Sequence, residues 1–359
     1  MAGQIKLNAA LGGSVTLDAA NTASNFVMTV PAASGVTITA DSTTGAAQIP
    51  VGTTAQRPAS PVAGQLRYNT TTAATEVYSG TAWGSLGASY AIDYLVVAGG
   101  GGGAGGGAGG GVGGGGGGGY LESLISVVPN TAYTITIGAG GTAGAANANG
   151  GTGNSSSIVS PSATIASSSG GGFGSYAGDG GAGGSGGGAA QWNFNGTKNG
   201  GTAVTGQGNR GGNAVGNGSE RSGAGGGGAG AAGGDIGNTN ATNGGAGKAS
   251  SITGSSVTRA GGGGAWGVNS SGSSGGAGGG GAGSQSGAGT AGTANTGGGG
   301  GGSGATNGGA GGSGVVIIAY TNATQRGTGG TVTSYNGGVG SNNVTTWVHT
   351  FTSSGTFTA

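Results

Sequence analysis

The chain has 359 residues, of which 104 are glycine, none is cysteine and 5% are charged, with nine basic and eight acidic side chains for a net charge of +1. The lack of cysteine excludes a disulfide framework and a thiolate metal site, and a sparse, balanced charge without a basic patch argues against nucleic acid as a partner. Glycine and serine at this level usually mark low complexity. Disordered chains stay soluble through charge, however, so this glycine is either hydrated coil or ordered structure.

The first residues, MAGQIKLNAALGG, hold no apolar core of signal-peptide length, and no apolar run approaches a membrane span. Synthesis in a cytoplasm without secretory processing is the expectation, with no membrane insertion. Residues 1–50 alternate at period two: Ile5 and Leu7, Val15 and Leu17, then Phe26, Met28 and Val30, then Val36 and Ile38. This pattern predicts short strands with one apolar face each. Fifty residues with so few large side chains make a poor monomeric core, so association through those faces is expected.

Residues 51–87 read as a small connector. Pro58 and Pro61 set an extended entry. Leu66, Tyr68, Val77 and Trp83 form an antiparallel hairpin set with its turn over 69–74, and Tyr68 and Trp83 are its expected core. Residues 88–322 form the glycine-rich domain. It opens with the strand YAIDYLVVA (90–98), continues with YLESLISVV and AYTITI around a Pro129-Asn130 turn, and closes with GVVIIAY (314–320). Strands thus bracket the glycine at both ends, which a disordered spacer does not need. SSIVSPSATIA (156–166) and SSITGSSVTRA (250–260) match at six of eleven positions, and each runs into glycines and then an aromatic, Phe173 or Trp266. Both copies read as hairpins feeding a glycine run. Residues 323–359 form a C-terminal β segment.

Between Ala98 and Tyr120 every residue is glycine except Ala104, Ala108 and Val112. Collagen is excluded, because it needs glycine at strict third positions and abundant proline. Silk-like stacking wants regular Gly-Ala alternation, which is absent. The remaining ordered option is a bundle of glycine helices of the polyproline-II type, with three residues per turn and no internal hydrogen bonds. Without Cβ atoms such helices approach closely enough to bond through their backbones. The predicted fold is therefore mainly β with little or no α-helix: an N-terminal short-strand region, a hairpin connector, and a polyglycine-II domain flanked by strands. The rare large residues fall at turns: Gln191, Trp192, Asn193, Phe194, Asn195 and Lys198, then Arg210, Glu220 and Arg221, then Trp266 to Asn269. In loops on a stiff scaffold, aromatics either plug the bundle ends or serve as contact residues.

Motifs for bond chemistry are missing, so no enzyme, cofactor or metal is expected. His349 is the only histidine, read as a solvent-facing strand residue, and no serine is singled out to work with it. GAGKAS (245–250) departs from a P-loop because Ala249 follows Lys248. The acids are scattered, and the pair on neighbouring strands, Asp93 and Glu122, is expected to face solvent.

LNAALGGSVTLDAANTASNFVMTVPAA (7–33) and GTTAQRPASPVAGQLRYNTTTAATEVYSGTAWGSLG (52–87) resemble the N-terminal and connector modules of bacteriophage tail fibres. IDYLVVAGGGGG, GGGYLE, AYTITIGAGG, SSITGSSVTRAGGGG and GGSGVVIIAY resemble the glycine-rich module found in such fibres. The resemblance implies a virion protein that attaches the particle to the host surface. It also implies a homotrimer joined to tail or baseplate proteins through the N-terminal region, with a tip whose loops contact a host glycan or outer-membrane protein. Carried over, receptor contact falls on Gln191, Trp192, Asn193, Phe194, Asn195, Lys198, Glu220, Arg221, Trp266 and Asn269. The alternative is a structural fibre or decoration protein in which the glycine domain is a spacer. TTWVHTFTSSGTFTA (345–359) looks like the lead-in strands that usually precede a glycine module, yet none follows it here; it either completes the sheet of the first module or is an exposed end.

Overall fold

The computed structural model describes residues 5–8, 14–17, 40–41, 46–47, 49–86, 89–107, 110–192, 195–217, 221–237, 241–268, 270–336 and 344–359. The protein is mainly β, and the one helical piece among the described residues is a single 3-10 turn, Thr54–Gln56. The chain divides into two compact units, Met1–Val51 and Gly52–Ala359. In the first, Ile5–Asn8 pairs antiparallel with Ser14–Leu17, setting Ile5 opposite Leu17 and Leu7 opposite Val15, as the alternation predicts. Phe26, Met28, Val30, Val36 and Ile38 lie outside the described residues.

In the second unit, Leu66–Asn69, Ala74–Tyr78 and Trp83–Ser85 form the predicted connector sheet. Its interior differs from expectation. Tyr68 is 36% exposed and Trp83 half-buried, whereas Arg67, Asn69 and Glu76 are buried. The Arg57 guanidinium donates to both Glu76 carboxylate oxygens, at 3.2 and 2.6 Å, and Asn69 Nδ2 adds a third bond at 3.0 Å. Arg67 Nε lies 3.5 Å from the same carboxylate. Alternation along Leu66–Asn69 puts polar residues on the covered face, where an ionic network takes the place of an apolar core; Trp83 flanks it, packed on Tyr78 at 5.5 Å and under Arg57 at 5.9 Å.

The larger part of the unit is a sandwich joined to a glycine bundle. A five-stranded antiparallel sheet runs in the order Tyr120–Val127, Tyr90–Val97, Val315–Thr321, Thr345–Phe351, Thr331–Asn336. A four-stranded sheet runs Thr164–Ser168, Ser156–Val159, Ala132–Thr136, Gly355–Thr358. Between them pack Ile92, Val96, Ile135, Ile158, Val316, Ile318 and Phe357. The opposite face of the larger sheet carries Leu95, Val97, Val315 and Ile317 against Ile252 and Ala260 of the glycine-rich region. Val315–Tyr320 is buried on both faces, as is the Leu95–Val97 end of its neighbour, which is why these stretches read as continuous apolar runs rather than alternating ones. The C-terminal segment supplies three of these nine strands and so completes both sheets. The Pro129-Asn130 turn is present, with Asn130 left-handed at φ 59°.

Strand Tyr90–Val97 runs directly into the first glycine segment, and the second returns into Tyr120–Val127. The backbone bonds of these segments repeat every third residue. Gly99, Gly102 and Gly105 donate to Asn154, Gly151 and Ala148; Gly100 and Gly103 donate to Gly312 and Gly309; Gly101 and Ala104 donate to Gly116 and Gly113. Carbonyls follow the same rule: Gly99 and Gly102 accept from Gly171 and Gly174, Gly100 and Gly103 from Gly141 and Gly144, Gly101 and Ala104 from Gly300 and Ser303. No described residue from 98 to 119 has positive φ. A repeat of three, with every bond leaving the segment, is the polyproline-II-type helix, here surrounded by six neighbours. Absence of Cβ is what permits it: a Cβ on Gly101 would sit 2.1 Å from the Gly172 oxygen. Both echo segments are hairpins feeding glycine runs, Ser156–Val159 with Thr164–Ser168 and Lys248–Ser250 with Val257–Arg259.

Candidate functional site: an aromatic end of the glycine bundle

Three stretches that the sequence singles out separately meet at one place. Ala190–Trp192 pairs antiparallel with Arg221–Gly223, setting Trp192 opposite Arg221, and Asn195–Lys198 pairs with Ala214–Asn217. The third stretch joins through the Val268 amide, which donates to the Arg221 carbonyl at 3.0 Å, and through Trp266, which exchanges backbone bonds with Val112 at the turn between the two central glycine helices. Large side chains gather here because a turn is where a glycine helix is free of neighbours on one side.

The individual residues divide by burial. Trp192 is half-buried; the Tyr176 ring meets it edge-on at 5.0 Å and 76°, and the Arg221 guanidinium carbon lies 5.7 Å from its ring centre. Such aromatic and cation–π contacts hold ring orientation. The Tyr176 amide donates to Asn149 Oδ1 at 2.7 Å, fixing the segment that carries the ring. Burial, opposed by the Arg221 charge, raises the Tyr176 phenol above its ordinary value, so it is a neutral donor near pH 7. Lys198 is half-buried, and Val215 and Val268 add exposed apolar surface.

Two expected contact residues are not at the surface. Gln191 has no exposed area, and Trp266 is 4% exposed, packed on Ala104 and Val112. Gln191 faces inward because its strand neighbour Trp192 faces outward. Trp266 plugs the bundle, its ring lying over Gly304, where a Cβ would come within 2.4 Å of it. Asn193, Phe194, Glu220 and Asn269 lie outside the described residues, as does the side chain of Asn195. The sequence reading missed Tyr176, which sits alone in SYAGDGG (175–181); its one available signal is that it is an aromatic at another glycine-run turn.

Elsewhere, Asp93 and Glu122 share one face of the larger sheet beside a cleft of about 590 Å³. Glu122 accepts from the Tyr120 hydroxyl at 2.6 Å, and burial, then Glu122, raises the Asp93 carboxyl. Among the described residues no three His, Cys, Asp or Glu converge to hold a metal ion, and no helix is long and apolar enough to cross a membrane.

The family described as the glycine-rich domain matches residues 71–321. The chain belongs to that family. The match begins inside the connector sheet and ends with the Val315–Thr321 strand, so it covers the bundle and both strands that bracket it. No curated protein matches the chain.

Proposed function

We propose that this chain is a bacteriophage tail-fibre protein that attaches the virion to a host cell through the aromatic end of its glycine bundle. The observation that carries the reading is the meeting of Trp192, Tyr176 and Arg221 on one hydrogen-bonded scaffold. Two oriented rings and a guanidinium form a ledge suited to the face of a sugar ring or to an aromatic-rich protein loop. The receptor is a host glycan or an outer-membrane protein, and the protein makes and breaks no bonds. Residues 1–50 serve virion attachment and homotrimer formation, joining tail or baseplate proteins. The resemblance of residues 7–33 and 52–87 to fibre modules supports this half of the reading. The test is adsorption of particles, or of purified protein, to host cells with Trp192→Ala and Tyr176→Ala combined. A loss of tenfold or more is expected. Unchanged adsorption by a folded variant would reject receptor contact at this end and favour a spacer role.

A further inference from the structure

His349 is the sole histidine of the chain, and it has no exposed area. The sequence reading placed it on a solvent face; the register instead sets it opposite Ile318, whose side chain points between the two sheets. Its ring lies against Tyr320, 5.6 Å between centres and 26° between planes, and Phe357 meets it edge-on at 5.1 Å. Both ring nitrogens are bonded: Nδ1 lies 2.8 Å from the Gly329 carbonyl oxygen and Nε2 lies 3.1 Å from the Tyr320 hydroxyl.

Only one protonation state satisfies all of these atoms. A carbonyl oxygen accepts and never donates, so Nδ1 carries the hydrogen. The Tyr320 oxygen already accepts from the Arg326 amide at 3.0 Å and the Gly327 amide at 2.8 Å, which uses both its lone pairs. Its own hydrogen therefore goes to Nε2. A second proton on the imidazole would aim an N–H at a hydroxyl with no acceptor capacity left, and would strand the hydroxyl hydrogen as well. Leaving buried polar groups unmatched in this way is costly.

The network closes a loop onto the C-terminal strand. Thr328 exchanges two backbone bonds with Thr358, at 2.9 and 3.0 Å, and the Gly327 Cα lies against the Phe357 ring. We propose that His349 is an acid-released latch that holds residues 322–330, and through them the C-terminal strand Gly355–Thr358, onto the sandwich. Titratable neighbours do not rescue the charged form. Tyr320 is the bonded partner, Tyr90 meets the Tyr320 ring edge-on at 5.5 Å, and Tyr133 lies against Phe357. The Arg326 guanidinium, over the Tyr90 ring at 4.9 Å, is a like charge. No carboxylate is paired with the imidazole among the described residues.

Burial lowers the His349 pKa below its ordinary value of 6.5, outweighing the Gly329 bond. The neutral state is therefore the closed one. Closure is fully stable above the ordinary value and is lost as pH falls from there toward the lowered value, by up to tenfold in the opening constant per pH unit. The experiment is amide exchange, corrected for intrinsic rates, on the intact protein at pH 7.5 and 4.5. Arg326, Gly327 and Thr328 are expected to lose up to about a hundredfold of protection, while Gly101 and Gly115 in the bundle keep theirs. In His349→Gln the pH dependence disappears, and in Tyr320→Phe the loop is open at both pH values. Should the variants fail to fold, imidazole nitrogen shifts of the unaltered protein report when His349 protonates. Loop protection that is unchanged between the two pH values, or that survives in the protonated state, overturns the latch. So does parallel loss in the bundle, which would mean global acid unfolding.

Discussion

The sandwich and the glycine bundle share one compact unit but are held by opposite means. In the sandwich, side chains do the work: Leu95, Val96, Ile317, Ile318 and Phe357 are almost fully buried, and apolar burial is roughly proportional to area. In the bundle the side chains have been removed so that backbones can touch. Each ordered glycine loses more conformational freedom than any other residue. A typical hydrogen bond returns only about 0.5–1.5 kcal/mol net. The bundle therefore holds only where nearly every N–H and C=O has a partner, and the central helices meet that condition in all directions. The sandwich sets where those helices start: Val97 opposite Tyr120 fixes their spacing before the first glycine. A core of side chains yields a little under substitution, whereas a core of backbones does not.

The sharpest way to break this contrast is Gly101→Ala. One methyl group at 2.1 Å from a carbonyl oxygen cannot be absorbed by a rotamer change, and a loss of more than about 4 kcal/mol is expected. Chemical denaturation checks it, and a cost below about 1 kcal/mol would mean that the helices slide apart easily. Next is Phe357→Ala in the sandwich, expected to cost about 3–5 kcal/mol because the surroundings only partly close on the cavity. The connector sharpens the comparison from a third side. Glu76→Gln leaves Arg57 and Arg67 facing an uncharged amide, and a loss on the order of 2 kcal/mol is expected, reduced from the fully buried case because Arg57 is partly solvated. The hydrogen bond from Arg57, then that from Asn69, holds the Glu76 carboxyl below its ordinary value of 4.5 against the opposing effect of burial. Its contribution is therefore present above that value and lost as pH falls through the lowered one. Thermal unfolding of the connector between pH 7 and pH 3 measures the loss, which Glu76→Gln removes. The smallest effect is Gly237→Ala, where none of the described residues lies within 4 Å of the added carbon and φ is not positive. A change within about 0.5 kcal/mol is expected, so the same substitution separates packed glycine from unpacked glycine.

Much of the fold was legible because its signals are local. Period-two alternation marked Tyr133 and Ile135, and YAIDYLVVA (90–98) and GVVIIAY (314–320) marked the two strands that bracket the glycine. The exclusion of collagen and silk left a three-residue helix, and the bonds repeat at that interval. What went wrong was decided by register. Tyr68 was expected in the connector core with Trp83, but Arg67 and Glu76 occupy the covered face and Trp83 lies half-buried beside them, because which face of a short strand is covered depends on what lies across it. His349 follows Val348 in an alternating strand, and both of its faces are covered, one by the second sheet and one by the bundle. The candidate site was half legible: the rare large residues were visible, but not which would face out. Gln191 and Trp192 are adjacent in sequence and opposite in fate.

The sequence by itself determined that the glycine must be ordered as close-packed helices or not at all, since composition removes every other means of holding it, and it determined which strands bracket them. Tertiary structure alone decided that residues 190–192, 195–198, 221–223 and 266–268 share one end of the bundle. Glycine carries no side chain with which to specify a neighbour. Which helix lies beside which is fixed at a distance, by the strands into which the helices run.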